Sequence, residues 1–384
     1  MMRIALIGLL VLLARIGIAQ DSISVRRFEL RGYVKDMQIL NYDRGFKTLI
    51  TSNLIHNRLN MRWKIDEHWK AGVELRNRLY WGEQVSMTPN FADNLRNKNE
   101  AFNMSITWIN SSSLVLHTNI DRLWLEYSTQ KWNARLGRQR INWGIASTWN
   151  PNDLFNTFNF IDFDYEERPG SDAVKFQYLT GPMSNLEVTG ALTEEGNLRG
   201  ISAARYFMNW RNYDIQFIGG WYINQPTFGI GWSGSIGQTG FKGEFQQFVN
   251  HGNSGAQTNL VLEADRTFSG GWYMDTGMLY NSSGIDQPVP DWSTINLQFS
   301  PKNLMPTKWN VLYTATKQIT PLLTAGSGFV YAPQAKLLII LPQVGYELTT
   351  DLDINLVWQS FFAQQPDAFA GLSHRTYFRL KYSF

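Results

Sequence analysis

The chain has 384 residues, of which 35 are basic and 32 acidic, for a net charge of +3, and it contains no cysteine. With cations spread singly along the chain, that balance excludes a nucleic-acid binder, and the missing thiols exclude a disulfide framework and a lipid-attachment site. Aromatic residues make up 14% of the chain while its mean hydropathy is only −0.27, a pairing that strands alternating between lipid and water produce.

In chain order, Met1-Met-Arg3 is a short basic start, Ile4 to Leu13 is an apolar run, and Gly17-Ile18-Ala19 supplies small residues before Gln20. These features predict a cleaved secretory signal peptide over 1–19, too short to be a spanning helix. No later apolar stretch approaches the ~20 residues a transmembrane helix needs.

Residues 20–384 read as one all-β domain. About eighteen strand candidates emerge from period-2 alternation bounded by turn residues. In 55–65, Ile55, Leu59, Met61, Trp63 and Ile65 share one face, and His56, Arg58, Asn60, Arg62 and Lys64 share the other. In 213–221, Tyr213, Ile215, Phe217, Gly219 and Trp221 alternate with Asp214, Gln216 and Ile218. Every second connection is tight, as at Asp66-Glu67-His68, Gly181-Pro182 and Thr320-Pro321, and the intervening ones include the long segments 81–113, 144–171 and 282–307. Short turns at one end and longer loops at the other predict a closed antiparallel transmembrane β-barrel of about sixteen to eighteen strands, with short periplasmic turns and longer extracellular loops. The segment 282–307 leaves the count open. A barrel of this size encloses a water-accessible lumen.

Placing the polar faces inward lines the first half of the barrel with cations. Arg58, Arg62 and Lys64 come from the second strand, Arg76 and Arg78 from the third, and Arg122 from the fourth. The fifth, Arg135-Leu-Gly-Arg-Gln-Arg140, contributes Arg135 and Arg138 or Arg140, depending on whether Gly137 carries a bulge that shifts the register. Charges on a confined pore wall set its field; Glu74 and Glu126 could balance part of them.

The next segment, 144–171, joins Asn142-Trp-Gly-Ile-Ala-Ser-Thr-Trp-Asn-Pro-Asn-Asp-Leu-Phe-Asn156 to Phe160-Ile-Asp-Phe-Asp-Tyr-Glu-Glu-Arg-Pro-Gly170. Its aromatics Trp149, Phe155, Phe158 and Phe160 are expected to pack, and Asp162, Asp164, Glu166 and Glu167 concentrate negative charge. Folded into the lumen, this loop would set its carboxylates against the arginines as a constriction with a transverse field. The motif Gly137-Arg-Gln-x-x-x-Trp143-Gly144, then Asn150-Pro151-x-Asp153 and Arg168-Pro-Gly170, resembles a stretch in Gram-negative outer-membrane porin-like proteins related to the alginate-export and phosphate-selective porin group. The resemblance implies a barrel of that type. General porins also fold their third extracellular loop inward between strands five and six, where the strand count puts this segment. No long lysine ladder of the phosphate-channel kind stands out.

Further along, His251-Gly-Asn-Ser254 has a spacing of three, where the outer-membrane phospholipase it superficially resembles uses two to set nucleophile and base on one strand face. It lies in a Gly/Asn-rich stretch and reads as a turn. The five histidines, at 56, 68, 117, 251 and 374, lack metal-ligand spacing, and no cofactor is implied. The acidic stretch Asp162 to Glu167 has oxygen ligands suited to Ca²⁺ but lacks the spacing of a known calcium loop.

The last eleven residues run from His374 to Phe384, with Thr376, Phe378, Leu380, Tyr382 and Phe384 on one face and Arg375, Tyr377, Arg379, Lys381 and Ser383 on the other. A terminal outward Phe384 resembles the signal by which outer-membrane barrels engage their assembly machinery. The sequence therefore predicts a passive outer-membrane channel of a Gram-negative bacterium, monomeric or homotrimeric, for small hydrophilic solutes or ions, set in outer-membrane lipid and with no enzymatic site. The alternatives are a barrel hydrolase acting on lipid or peptide, and a specific sugar channel in which the aromatics of 143–163 form a slide.

Overall fold

A computed structural model describes residues 27–384 except 44, 97–99, 158, 165, 166, 195–197, 290–297, 366 and 367. The expected signal peptide, together with Phe158 and Glu166, lies outside the described residues.

The first strands are β1 Phe28–Tyr42, β2 Leu49–Lys64 and β3 Trp69–Gly82. A short β4, Ser105–Asn110, precedes β5 Leu114–Ser128, β6 Trp132–Gln139 and β7 Ser171–Gly181. Then come β8 Ser184–Glu194, β9 Leu198–Trp210, β10 Tyr213–Tyr222, β11 Gln225–Ile236, β12 Thr239–Phe248 and β13 Gln257–Thr267. The set ends with β14 Trp272–Asn281, β15 Trp309–Gln318, β16 Leu323–Ala332, β17 Leu337–Thr349, β18 Leu352–Gln364 and β19 Phe369–Ser383.

All strands but β4 join an antiparallel ring that closes where β1 pairs with β19, from Tyr33 opposite Ser383 to Tyr42 opposite His374. The ring therefore has eighteen strands, the upper end of the expected range, and β4 is a nineteenth that lies in the long connection 81–113. β4 pairs with β5 at 115–119, above the level at which β6 ends at Gln139. Closure matters because a ring leaves no unpaired edge, so the backbone can satisfy itself without water. The C-terminus takes part: Phe384 N–H donates to Gly32 O and Gly32 N–H to Phe384 O, both at 2.9 Å.

Period-2 alternation sorts the side chains. Leu30, Leu136, Val174, Val188, Phe217, Phe228, Val344, Leu356 and Phe378 point outward and are exposed, an apolar belt that would be a large aggregation surface in water. Inward positions on β1–β3 carry Lys35, His56, Arg58, Glu74, Arg76 and Arg78, all buried. One register shift sits where it matters. On β5, Leu75 of β3 faces Ile120 and Glu74 faces Arg122, so Asp121 is an extra residue and the inward set changes from odd to even numbers.

The bulge foreseen at Gly137 is not there. β6 pairs without a shift on both sides, and Gly137 is instead required by its φ of 112° and by Leu123 O, which a Cβ would meet at 2.2 Å.

Candidate functional site

The long segment after β6 enters the barrel and docks along its inner wall, and the chemistry of the two ends differs. The first half offers donors to carboxylates of β8–β13. Glu244, fully buried, takes Ile145 N–H (2.5 Å), Ala146 N–H (2.8 Å) and Asn150 Nδ2 (3.1 Å) on Oε1, and Asn152 N–H (2.9 Å) on Oε2. Trp143 Nε1 donates to Glu187 at 2.6 Å, Ser147 N–H to Glu263 at 2.6 Å, and Gln216 Nε2 to Trp143 O at 2.6 Å. Trp143, Leu154 and Phe155 pack against inward Ala191, Ile201, Ala203 and Ile218.

The second half offers acids to cations of β1–β5. Lys35 Nζ donates to Asp164 O at 2.6 Å and lies 2.9 Å from its Oδ1, with His56 Nδ1 3.0 Å from the same oxygen. Burial alone would raise the Asp164 carboxyl, but Lys35 and His56 hold it well below the ordinary carboxylate range. Arg58 pairs with Glu167 and Glu74 at 2.6 Å and with Asp121 at 2.5 Å, while Arg122 lies 3.4 Å from Glu74. Between the two docking areas, Trp149 meets Phe160 edge-on, Phe160 meets Phe299 of the 298–307 segment, and Gln359 Nε2 donates to Ile161 O. At the turn toward β19, Phe163 lies beside Tyr377 and under the Arg379 guanidinium, 4.6 Å from its ring centre.

The recognised motif residues fasten this loop. Arg168 bonds both Asp153 and Asn150. Asn150 in turn crowds Gly144, where a Cβ would lie 2.5 Å from Asn150 Cγ, and Pro151, which follows Asn150, is buried. Gln139 Nε2 donates to Ala173 O at 3.1 Å. Trp149, Phe155 and Phe160 pack as foreseen.

The other expected site residues are placed as follows. Arg62 and Lys64 are exposed inward positions near the tight-turn end. Arg76 Nε lies 3.3 Å from Asp121, Arg78 donates to Leu95 O at 3.0 Å, Arg135 pairs with Glu126, and Arg140 is exposed just beyond β6. Asp162 is on the loop beside Asp164, whose N–H it accepts at 3.1 Å.

Arg138 is a correction. It faces Leu123 on one side and Asp172 on the other, in the row of outward Leu136, Val174 and Leu192, so it stands on the outer wall. There it is buried under residues 100–102: Glu100 and Asp172 pair with it at 2.7 and 2.9 Å, and it also donates to Phe102 O. The expectation failed because it allowed a register shift at Gly137 that β6 does not have; unbroken alternation from inward Arg135 turns Arg138 outward.

Sequence reasoning missed the acidic wall of Glu187, Glu244 and Glu263. Each occupies an inward position in its strand, so alternation on β8, β12 and β13 carried the signal. Under Phe163, an inner cavity of about 300 Å³ is lined by Gln343, Glu347, Asp353, Asn355 and Arg379. A larger groove of about 990 Å³ is floored by Gly190 and Gly200 on the outer wall and is no part of this site. His251 and Ser254 exchange backbone hydrogen bonds at 3.0 Å, which makes their segment a tight turn. Among the described residues no cluster of three metal-ligating side chains occurs.

No family model matches this chain, and no curated protein matches it. Solved structures do. OccK9 (OpdG) of Pseudomonas aeruginosa superposes with a TM-score of 0.59 at 12% identity, covering 94% of this chain and 99% of that one. OccAB4 of Acinetobacter baumannii gives 0.58 at 10% identity over 93% and 98%. Pseudomonas aeruginosa OpdK, solved with vanillate, gives 0.57 at 7% identity over 93% and 98%. The likeness is to Occ/Opd outer-membrane porins and does not single out the alginate-export or phosphate-selective group; at such identities, what the chain shares with them is the porin barrel fold.

Proposed function

We propose that this chain is an outer-membrane channel through which small hydrophilic solutes or ions diffuse passively, with the inward segment 140–170 as its constriction. The observation that carries the reading is the loop docked between an acidic and a basic wall inside a closed eighteen-stranded ring. A ring of this strand number encloses more space than its own wall side chains fill, and a loop folded into it narrows that space to a chosen cross-section. The apolar outer belt places the ring in lipid. Most of the constriction arginines are paired with carboxylates, so the net field comes from charges outside the pairs: Arg62, Lys64 and Arg140 against Glu347 and Asp353. The solved structure of OpdK with vanillate is consistent with small organic solutes as cargo in barrels of this shape.

Single-channel recording of the refolded protein in a planar bilayer, with reversal potentials in a salt gradient, tests the proposal. Stable ohmic steps support an open pore. A folded, membrane-inserted barrel that passes no current at any voltage refutes it and turns attention to hydrolysis of lipid or peptide.

A further inference from the structure

The outer wall is not apolar all the way round. Opposite sides of the ring differ: Phe217, Phe228 and Ile230 of β10 and β11 present exposed apolar side chains, whereas the outward positions of β1, β2, β3 and β5 include Asp36, Gln38, Asn53, Asn57, Asn77 and Thr118. Outwardness follows from register, because Asp36 faces outward Leu380, and Asn57 faces Asn77 in the same row as Val34. Asn57 lies six positions above Trp63, and Asn77 eight above Trp69, both tryptophans being exposed at the tight-turn end. At about 3.4 Å per residue and a tilt of about 40°, the amides sit roughly 15–20 Å above that girdle, within an apolar band about 25 Å tall.

These side chains form a connected but unsaturated chain. Asn57 Nδ2 donates to Tyr33 O (3.1 Å), Asn77 Nδ2 to Asn57 Oδ1 (3.0 Å), Thr118 Oγ1 to Asn77 Oδ1 (2.8 Å) and Trp108 Nε1 to Thr118 Oγ1 (2.9 Å). A primary amide has two donors and two acceptor sites, so each asparagine retains capacity on both sides. Asp36 is exposed and accepts from Gln38 at 2.9 Å. Beyond Thr118, β4 continues the same wall and pairs, among the described residues, with β5 alone, leaving its second edge beside exposed Ile106 and Trp108. Hydrocarbon offers nothing to any of these groups.

We propose that the wall of β1–β3 and β5 docks, within the membrane, against the same wall of a second copy of this chain. Amides carrying both donors and acceptors are complementary to themselves, as a symmetric contact demands. An amide row supplies further donors to the partner's Asp36 beyond its own Gln38, whereas an acyl chain supplies none.

The inference rests on the membrane reading above, and one preparation separates the two. The protein is reconstituted in phospholipid vesicles, floated on a density gradient and oxidised after Asn77→Cys or, as a control on the far wall, Phe217→Cys; the chain has no cysteine of its own. The expected result is covalent dimer from Asn77→Cys in at least tenfold excess over the control. Native mass spectrometry from nanodiscs is expected to show oligomers for the wild type and monomers for the triple variant Asp36→Leu/Asn57→Leu/Asn77→Leu, whose wall would suit lipid better and whose barrel should remain heat-modifiable. A floating protein that is monomeric, or that cross-links equally at both walls, overturns the interface and leaves the channel standing. A protein that does not float overturns both.

Discussion

Removal of the Glu244 carboxylate is the most direct perturbation of the proposed constriction. Three loop N–H groups, from Ile145, Ala146 and Asn152, and the Asn150 amide converge on this fully buried carboxylate. In Glu244→Ala the three backbone donors are orphaned. At about 1–3 kcal/mol for each buried unsatisfied donor, the docked state loses roughly 3–9 kcal/mol, less whatever entering water recovers. What remains to hold this half of the loop is hydrogen bonding to Glu187, Glu263 and Gln216, about 1 kcal/mol each, and the burial of Trp143 and Trp149, about 1.5–3 kcal/mol each. The two totals are of the same size, so the docked and released states should become comparably populated, while the strand ladder is untouched. Ala146→Cys, buried in the parent, reports release through its reaction rate with a water-soluble maleimide. The rate is expected to rise at least tenfold in the Glu244→Ala background, with larger and noisier conductance steps, and to rise less in Glu244→Gln, which keeps one acceptor oxygen. Unchanged labelling and unchanged conductance in a heat-modifiable barrel would refute the claim that this carboxylate holds the loop.

Two more outcomes follow from the wall assignments. Arg62→Glu, at an exposed inward position, is expected to shift the reversal potential toward cations, whereas Arg138→Gln, on the outer wall, should leave it unchanged and lower thermal stability instead, by about 3–5 kcal/mol for an unpaired buried ion set; equal shifts from both would contradict the placement of Arg138. Because the Asp164 carboxyl titrates well below its unfolded value near 3.8, its contact with Lys35 and His56 contributes fully above that value and is lost as pH falls below it. The contact should therefore hold from about pH 7 down to about pH 4, where conductance steps are expected to stay steady in the wild type and to be larger and noisier in Asp164→Asn, in which the contact is already weakened.

The barrel was legible in the sequence because its determinants are local. Period-2 alternation, tight turns at every second connection and the aromatic terminal strand each survive reading one residue at a time. Arg58, Arg76, Arg78, Arg122 and Arg135 followed from the same alternation. What escaped was non-local. The extra residue at Asp121 leaves no compositional mark, because a bulge is a property of two strands and not of one; for the same reason Gly137 suggested a shift that β6 does not have, which put Arg138 on the wrong face. β4 was hidden in a connection because six residues give too little alternation to separate from a loop. The motif Trp143-Gly144, Asn150-Pro151-x-Asp153 and Arg168 was visible as a motif, but its purpose, a clasp in which Arg168 holds both Asn150 and Asp153, exists only once the segment folds back on itself.

The pairing of the inner charges changes what can select a solute. A row of arginines on one wall would by itself attract anions, yet Arg58 is surrounded by Glu74, Asp121 and Glu167, and Lys35 is held by Asp164. Such a network has little net field at distances beyond its own size, and its desolvated members are costly to disturb, so it serves to hold the loop in one position. Discrimination then passes to charges on the water-filled side of the loop. Around the cavity under Phe163, Glu347 and Asp353 stand as cross-strand neighbours, and Asp353 in turn faces Lys381, with Arg379 in the adjoining row. Opposite charges a strand apart present a dipole to a solute passing that wall. A channel arranged in this way should favour small polar molecules that can align with the dipole over simple ions of either sign, because an ion gains at one charge what it loses at the other.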